Sequence, residues 1–251
     1  MGMEWVQSFY EKQAKWSGIY WGDVLDIHRE KVLMVQDFIG NNGEQVLELG
    51  AGGGQHAIAL AELGYKVRAA EIVPELAQHI RDLARQRRDV EVKVIEGDFY
   101  QVEIPYQFDA VCYWDGFGVG TDDDQRQLLK KIAKWLKKGG YAFVDVYTPW
   151  HAAKSSGYRT RVGKALRQYE FDAEQCRWLD HWWLEGEGKQ KIMQSLRCYS
   201  PADLRLLLEG NGLEVVKTIS GGMMDYEQGR FLSKASLHEA MWYLAVLKHR
   251  T

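Results

Sequence analysis

The feature that most restricts this chain is a glycine run set between a short apolar stretch and a helix-like one: Val46-Leu-Glu48-Leu-Gly50-Ala-Gly52-Gly-Gly54. Glycines so closely spaced let the backbone turn sharply and let another molecule approach where a Cβ would stand in the way. The flanking pattern says what kind of turn this is. Gln45 to Leu49 reads as a strand and His56 to Leu63 as a helix closed by Gly64. Lys66 to Glu71 reads as a second strand, and Pro74 suits the first residue of a helix running to about Arg87. Val90 to Ile95 and Phe108 to Trp114 are the next strands. Leu128, Leu129, Ile132, Trp135 and Leu136 then form one apolar stripe on a helix expected to end at Gly139-Gly140, before a fifth strand from Tyr141 to Tyr147. Repeated strand–helix–strand units with short connections predict an α/β fold, a mostly parallel, Rossmann-like sheet with helices on both faces.

Outside that rhythm lie two other regions. The first forty residues carry apolar positions at helical intervals, interrupted by the aromatic, glycine-bracketed segment Trp16-Ser-Gly-Ile-Tyr-Trp-Gly22 and closed by a turn at Asn41-Asn-Gly43. After Pro149 the chain reads as irregular and basic from 150 to 165. Antiparallel strands follow at Leu166 to Phe171, Cys176 to Leu184 and Lys191 to Tyr199, the last two joined by a turn at Glu185-Gly-Glu-Gly188. Ser200-Pro-Ala-Asp203 is a helix start, with a capping serine, a proline in the first turn and an acid three residues on. Gly210-Asn-Gly212 stops that helix. Leu213 to Ile219 and Met241 to Leu247 are the last strands, separated by a short segment around Phe231.

The glycine turn is not that of a dinucleotide fold. Such a fold places a third glycine at the sixth position of G-x-G-x-x-G to hold helix against strand around a pyrophosphate, and here that position is Gln55. Instead an acid, Glu48, stands two residues before the first glycine, where it repels phosphate and suits an ammonium group. Glu71 closes the second strand, where a carboxylate accepts two ribose hydroxyls, with Ile72 beside it to flank a base. Gly97-Asp98-Phe99 closes the third, supplying an acid for an exocyclic amine and an aromatic ring to cover the base. Three acids, each at the carboxyl end of a successive strand, fit an adenosyl ligand with an amino-acid end and no pyrophosphate.

In these residues the sequence resembles the class I S-adenosylmethionine-dependent methyltransferase family. The likeness rests on Glu48 to Gly54, Glu71, Gly97-Asp98, Tyr113-Trp-Asp-Gly-Phe-Gly118, Leu136-Lys-Lys-Gly-Gly-Tyr-Ala-Phe-Val144, and the stretch from Cys198-Tyr-Ser-Pro-Ala-Asp-Leu to Gly212-Leu-Glu-Val-Val216. The family often has Asp where this chain has Glu48, a change that preserves the role. The resemblance implies a seven-stranded sheet whose last strand is antiparallel, and S-adenosyl-L-methionine as cofactor. It implies a cofactor site drawn from Glu48, Gly50, Ala51, Gly52, Gly54, Glu71, Ile72, Gly97, Asp98, Phe99 and Trp114. Tyr20 and Trp21, in the aromatic N-terminal segment, are expected to fold over that site. Asp115 after the fourth strand and His151 after the fifth are the candidate catalytic residues. His56 reads as structural.

The rest of the sequence narrows the acceptor. The chain has 251 residues and a net charge of -3, without the basic surplus a nucleic-acid backbone calls for. Trp114-Asp-Gly-Phe117 also lacks the Asn/Asp-Pro-Pro-aromatic motif of enzymes that methylate exocyclic amines of nucleic acids. No apolar run is long enough for a membrane span, and no basic region followed by an apolar run marks a secretory signal. Cys112, Cys176 and Cys198 have no metal-ligand spacing and read as reduced cytoplasmic thiols. The expectation is one methyltransferase domain over 1–251, monomeric or homodimeric. Its parts would be an N-terminal helical lid (1–40), a cofactor-binding core (45–149), a small antiparallel substrate cap (150–199) and the C-terminal end of the sheet (200–251). The expected activity is methyl transfer to oxygen or nitrogen of a small molecule. The alternatives are a protein side chain as acceptor, or a non-catalytic cofactor-binding or interaction protein.

Overall fold

The computed structural model describes residues 3–40, 44–186 and 190–250. The turn at Asn41–Gly43, and Glu187 and Gly188 of the Glu185–Gly188 turn, lie outside them. Strand residues alternate between two apolar layers, which is why the sheet sits in the middle. Leu47, Leu49, Val111 and Tyr113 face one layer, and Val46, Val67, Ala69 and Cys112 face the other.

The helices before the sheet are α1 (Trp5–Ser17) and α2 (Asp26–Ile39). The core then runs β1 (Gln45–Leu49), α3 (Gln55–Glu62), β2 (Lys66–Glu71), α4 (Pro74–Arg85), β3 (Glu91–Glu96), β4 (Phe108–Tyr113), α5 (Asp122–Trp135) and β5 (Leu136–Tyr147). Next come α6 (Pro149–Ser155) and the strands β6 (Arg159–Val162), β7 (Ala165–Asp172), β8 (Arg177–Leu184) and β9 (Ile192–Arg197). The chain ends with α7 (Pro201–Leu207), β10 (Leu213–Ser220), β11 (Met223–Asp225), β12 (Arg230–Leu232) and β13 (Trp242–His249).

Seven strands form the main sheet in the order β10-β13-β5-β4-β1-β2-β3. β13 is antiparallel to both neighbours, while β1 to β5 pair in parallel. Helices α2, α3 and α4 pack on one face through Val32, Val35, Ile58, Ile80 and Leu83. Helices α5 and α7 pack on the other through Leu128, Ile132, Leu204 and Leu207. The fold is thus the Rossmann-like sheet the sequence predicts. β1 leads outward to β2 and β3, whereas β4 and β5 lie on its other side, so a crevice opens at the carboxyl ends of β1 and β4.

Two expectations need correction. The segment 150–165 is not irregular: Pro149 sits in the first turn of α6, and the Thr148 side chain accepts the His151 N–H at 3.3 Å, a cap that starts a helix. α5 also ends sooner than its glycines suggest. Leu136 turns extended and pairs with Phe108, so β5 begins there and not at Tyr141. The apolar stripe could not show this, because Leu136 is buried in either conformation.

β6 to β9 form a separate antiparallel sheet, tied to the core along the loop after β4. Val119 bridges Leu196, and the Arg177 guanidinium donates to the carbonyls of Gly118 and Gly120. α1 lies between this small sheet and the core. Trp5 and Phe9 pack on Ala165 and Trp182 of the small sheet, while Tyr10 and Ala14 meet Val73 and Leu76 at the head of α4.

Candidate active site

The crevice at the strand ends is a cavity of about 220 Å³, covered by α1 and the segment that follows it. Its floor is the glycine turn. Gly50 and Gly52 both have positive φ, +60° and +56°, which favours glycine. A Cβ on Gly52 would stand 3.0 Å from the Tyr20 ring. Gly54 does something else: it is not on the cavity wall, and a Cβ there would press on Ile80 at 2.6 Å. It lets α3 start close against α4, the packing role a dinucleotide fold gives its third glycine.

Glu71 ends β2 and turns inward. Its carboxylate accepts the Gly52 N–H at 2.7 Å and the Val73 N–H at 2.8 Å, so the acid braces the glycine turn as well as lining the cavity. Burial raises it to about 7 against the pull of those backbone donors. Glu48, the last residue but one of β1, points to a layer otherwise filled with apolar residues, only 1% exposed, with one carboxylate oxygen lacking any hydrogen-bond partner. Burial, and then the neighbouring Glu71 charge, push its carboxyl well above the usual range. A buried acceptor left unpaired is costly, and a donor arriving with a ligand relieves it. Asp98, after β3, accepts the Tyr100 N–H at 2.8 Å and lines the same cavity, as do Ile72 and Phe99.

Beyond β4 the wall is aromatic. The Tyr113 ring meets Phe99 edge-on at 5.4 Å, and its hydroxyl donates to the Gly116 carbonyl at 2.8 Å. Trp114 lines the cavity beside His56, whose ring centroid is 5.9 Å away. Asp115 follows with φ +52°, a left-handed conformation that a residue other than glycine adopts at a cost, and the Tyr147 hydroxyl donates to its carboxylate. It opens onto the cavity, and the protein around it raises its carboxyl by desolvation.

The structure brings together Glu48, Gly50, Ala51, Gly52, Glu71, Ile72, Asp98, Phe99, Trp114, Asp115 and Tyr20. It leaves out Gly54, Gly97, Trp21 and His151. Gly97 has φ +145° and abuts Val102, so it shapes the turn that presents Asp98. Trp21 is 40% exposed and donates its ring N–H to the Ala14 carbonyl, pinning the segment to α1. His151 is buried against Trp178 and within 3.4 Å of the Tyr226 hydroxyl, held near 4 first by burial and then by the Lys154 and Arg167 charges. It is not on the cavity wall. Two other histidines are: His56, read from sequence as structural, and His28, stacked edge-on at 5.1 Å. His28 accepts the Leu25 N–H through Nδ1, and burial lowers its titration. Burial also drives His56 down to about 3, so this pair is neutral. Gln55, noted in the sequence only for not being glycine, donates its amide to the carbonyls of Tyr20 and Gly22, each at 3.0 Å. Nothing local in the sequence marks that contact.

These residues fit an adenosyl ligand with an amino-acid end: an unpaired acid at Glu48, a strand-end acid at Glu71, an acid and a ring at Asp98 and Phe99, and a floor without side chains. The comparisons agree. Residues 46–140 match the family model for a methyltransferase domain. The cypemycin N-terminal methyltransferase of a Streptomyces species is 34% identical over 119 residues, 46% of this chain, and the match spans about half (47%) of that relative. The CcbJ methyltransferase structure from Streptomyces caelestis superposes with a TM-score of 0.74 at 23% identity, covering 96% of this chain and 98% of its own. The 1,6-didemethyltoxoflavin-N1-methyltransferase of Burkholderia thailandensis was solved with S-adenosylhomocysteine bound. It superposes with a TM-score of 0.62 at 13% identity, covering 98% of this chain and 88% of its own. Residues 46–140 are thus a methyltransferase domain, and the seven-stranded sheet that carries it has the fold of class I S-adenosylmethionine-dependent methyltransferases.

Proposed function

We propose that this protein transfers the methyl group of S-adenosylmethionine to a nitrogen or oxygen of a small molecule. The observation that carries the reading is that one covered cavity holds the residues that suit the cofactor together with further wall. Glu48, the glycine turn, Glu71, Ile72, Asp98 and Phe99 suit the cofactor. Tyr10, Val119, Met3, Val6 and Asp115 line the same cavity, roofed by α1. The roof is tied down on both sides, by Gln55 to the core and by the Lys164 N–H donating to the Trp16 carbonyl from the small sheet. A covered cavity of this kind suits a small acceptor better than a folded protein surface.

When bound, the cofactor supplies a methyl carbon already activated by a positive sulfur. The protein's task is then to bind, to orient and to exclude water. Glu71 is set to hold the ribose hydroxyls, and Glu48 the ammonium end. Phe99, Tyr100 and Tyr113 close one wall with aromatic surface, and α1 with Tyr20 shuts out solvent. Of the relatives above, one name gives a ring nitrogen, N1, as the acceptor and another gives an N-terminus, which favours an amine here.

Calorimetric titration with S-adenosylhomocysteine, repeated on Glu71→Ala, tests the proposal. Micromolar binding that weakens by at least about thirtyfold in the variant is expected, in keeping with the loss of charge-assisted hydrogen bonds. A folded wild-type protein that does not bind would overturn it.

A further inference from the structure

Among the described residues that line the cavity there is no lysine and no arginine, but there are four carboxylates: Glu48, Glu71, Asp98 and Asp115. The first three sit at the ends of β1, β2 and β3, around the glycine turn that suits the cofactor. Asp115 follows β4, which pairs with β1 on the side away from β2. The nearest cations are already engaged. Arg167 holds Asp180 through Nε and its terminal nitrogen at 2.6–2.9 Å, and Lys31 holds Asp145 at 2.8 Å. The Asp115 carboxylate is therefore left facing the cavity with one neutral donor, Tyr147, which comes from β5 and packs against Trp178 of the small sheet. Around it the cavity wall is aromatic and apolar, with Tyr10, Tyr113 and Val119.

We propose that Asp115 is the residue that selects the acceptor, and that it selects an aliphatic amine presented as an ammonium ion. This rests on the methyltransferase reading above. A carboxylate exposed to an aromatic-walled cavity attracts a cation through charge and through the ring faces together, and repels carboxylate and phosphate acceptors. Its raised affinity for protons fits the next requirement, since an ammonium has no free electron pair. One proton passes from the acceptor nitrogen to an Asp115 oxygen. The freed pair forms the new nitrogen–carbon bond as the methyl–sulfur bond breaks with its electrons remaining on sulfur. The Asp115 proton then leaves to water. Tyr147 acts as a positioning residue, holding the carboxylate in its strained backbone conformation.

Sinefungin, a cofactor analogue that carries an ammonium where the transferable methyl group stands, reads the charge at the transfer point without any acceptor. Its affinity should exceed that of S-adenosylhomocysteine by about tenfold or more in the wild type, the scale of one charge-assisted hydrogen bond. In Asp115→Asn the preference should fall to within about threefold, with S-adenosylhomocysteine affinity little changed. Asn is chosen because it tolerates a positive φ at least as well as Asp, so the loop is retained. A wild type without the preference, or a variant that keeps it, overturns the proposal while leaving the methyltransferase reading intact. A variant that loses both ligands alike shows that Asp115 serves the cofactor or the fold and also overturns it. A wild type that binds neither ligand overturns the methyltransferase reading itself, and this proposal with it.

Discussion

The side-chain amide of Gln55 lies 3.0 Å from the carbonyl oxygen of Tyr20 and donates to it, joining the first residue of α3 to the segment that covers the cavity. The same nitrogen donates to Gly22. A Cβ on Gly53 would collide with that Tyr20 carbonyl, so the covering segment lies directly on the glycine turn.

Gln55→Ala removes both bonds and leaves two carbonyls to find water. Two neutral hydrogen bonds are worth roughly 1–3 kcal/mol, so S-adenosylhomocysteine affinity should fall by about 5- to 150-fold, mainly through faster dissociation. Stopped-flow displacement measures this. An unchanged dissociation rate would show that the segment does not hold the ligand. Deleting residues 1–22 should have the larger effect.

Glu71 gives the ligand-free protein a distinctive pH dependence. It sits near 7 in the fold and near 4.5 when unfolded, so between those values the native state holds a proton that the unfolded chain has lost. Its contribution to stability is complete below about 4.5 and disappears as pH rises through 7, a difference on the order of 3 kcal/mol at 1.36 kcal/mol per unit. Ribose hydroxyls donate to the ionised form, so binding should draw the proton off. S-adenosylhomocysteine affinity should rise by up to about tenfold per unit as pH climbs toward 7, then level. Calorimetry in buffers of different ionisation enthalpy should show proton release below 7, a release that Glu71→Gln abolishes.

His151 behaves in the opposite sense. It titrates near 4 in the fold against an ordinary 6.5, because burial keeps it neutral. Its contribution is present above about 6.5 and is lost as pH falls through 4, again on the order of 3 kcal/mol. In His151→Gln the unfolding free energy should vary less steeply over that interval, by close to one proton, while S-adenosylhomocysteine affinity stays within about twofold. Urea titrations at several pH values test the first part. A large loss of affinity would return His151 to the site.

Gly163, in the turn between β6 and β7, has φ +57°, and a Cβ there would strike the carbonyls of Ser17 and Trp16 at the end of α1. Gly163→Ala should cost about 2–4 kcal/mol from strain and contact together. Gly157→Ala, with φ +85° but open space around the position, should show only the conformational part, about 1 kcal/mol. Chemical denaturation of both isolates the clamp on α1. Equal losses would mean the contact contributes nothing.

The order of strands and helices from β1 to β4 was legible because each signal is local. Glycine conformations, alternating apolar positions and caps act within a few residues, and a parallel sheet built from such units places Glu48, Glu71 and Asp98 at one edge whatever else happens. Boundaries that depended on pairing were not legible. Leu136 is buried in helix or strand, and only its ladder partner Phe108 decides between them.

What faces the cavity was settled by tertiary packing. His56 and His151 both follow strand ends, yet the first turns toward the cavity and the second behind Trp178, because their helices meet different neighbours. The partners that matter most lie far apart along the chain: Gln55 and Tyr20 are separated by 35 residues, Asp115 and Tyr147 by 32. A local pattern of residues carries backbone conformation and hydrophobic phase. The direction of a polar side chain follows from how whole elements pack, and that is decided only when the chain is folded.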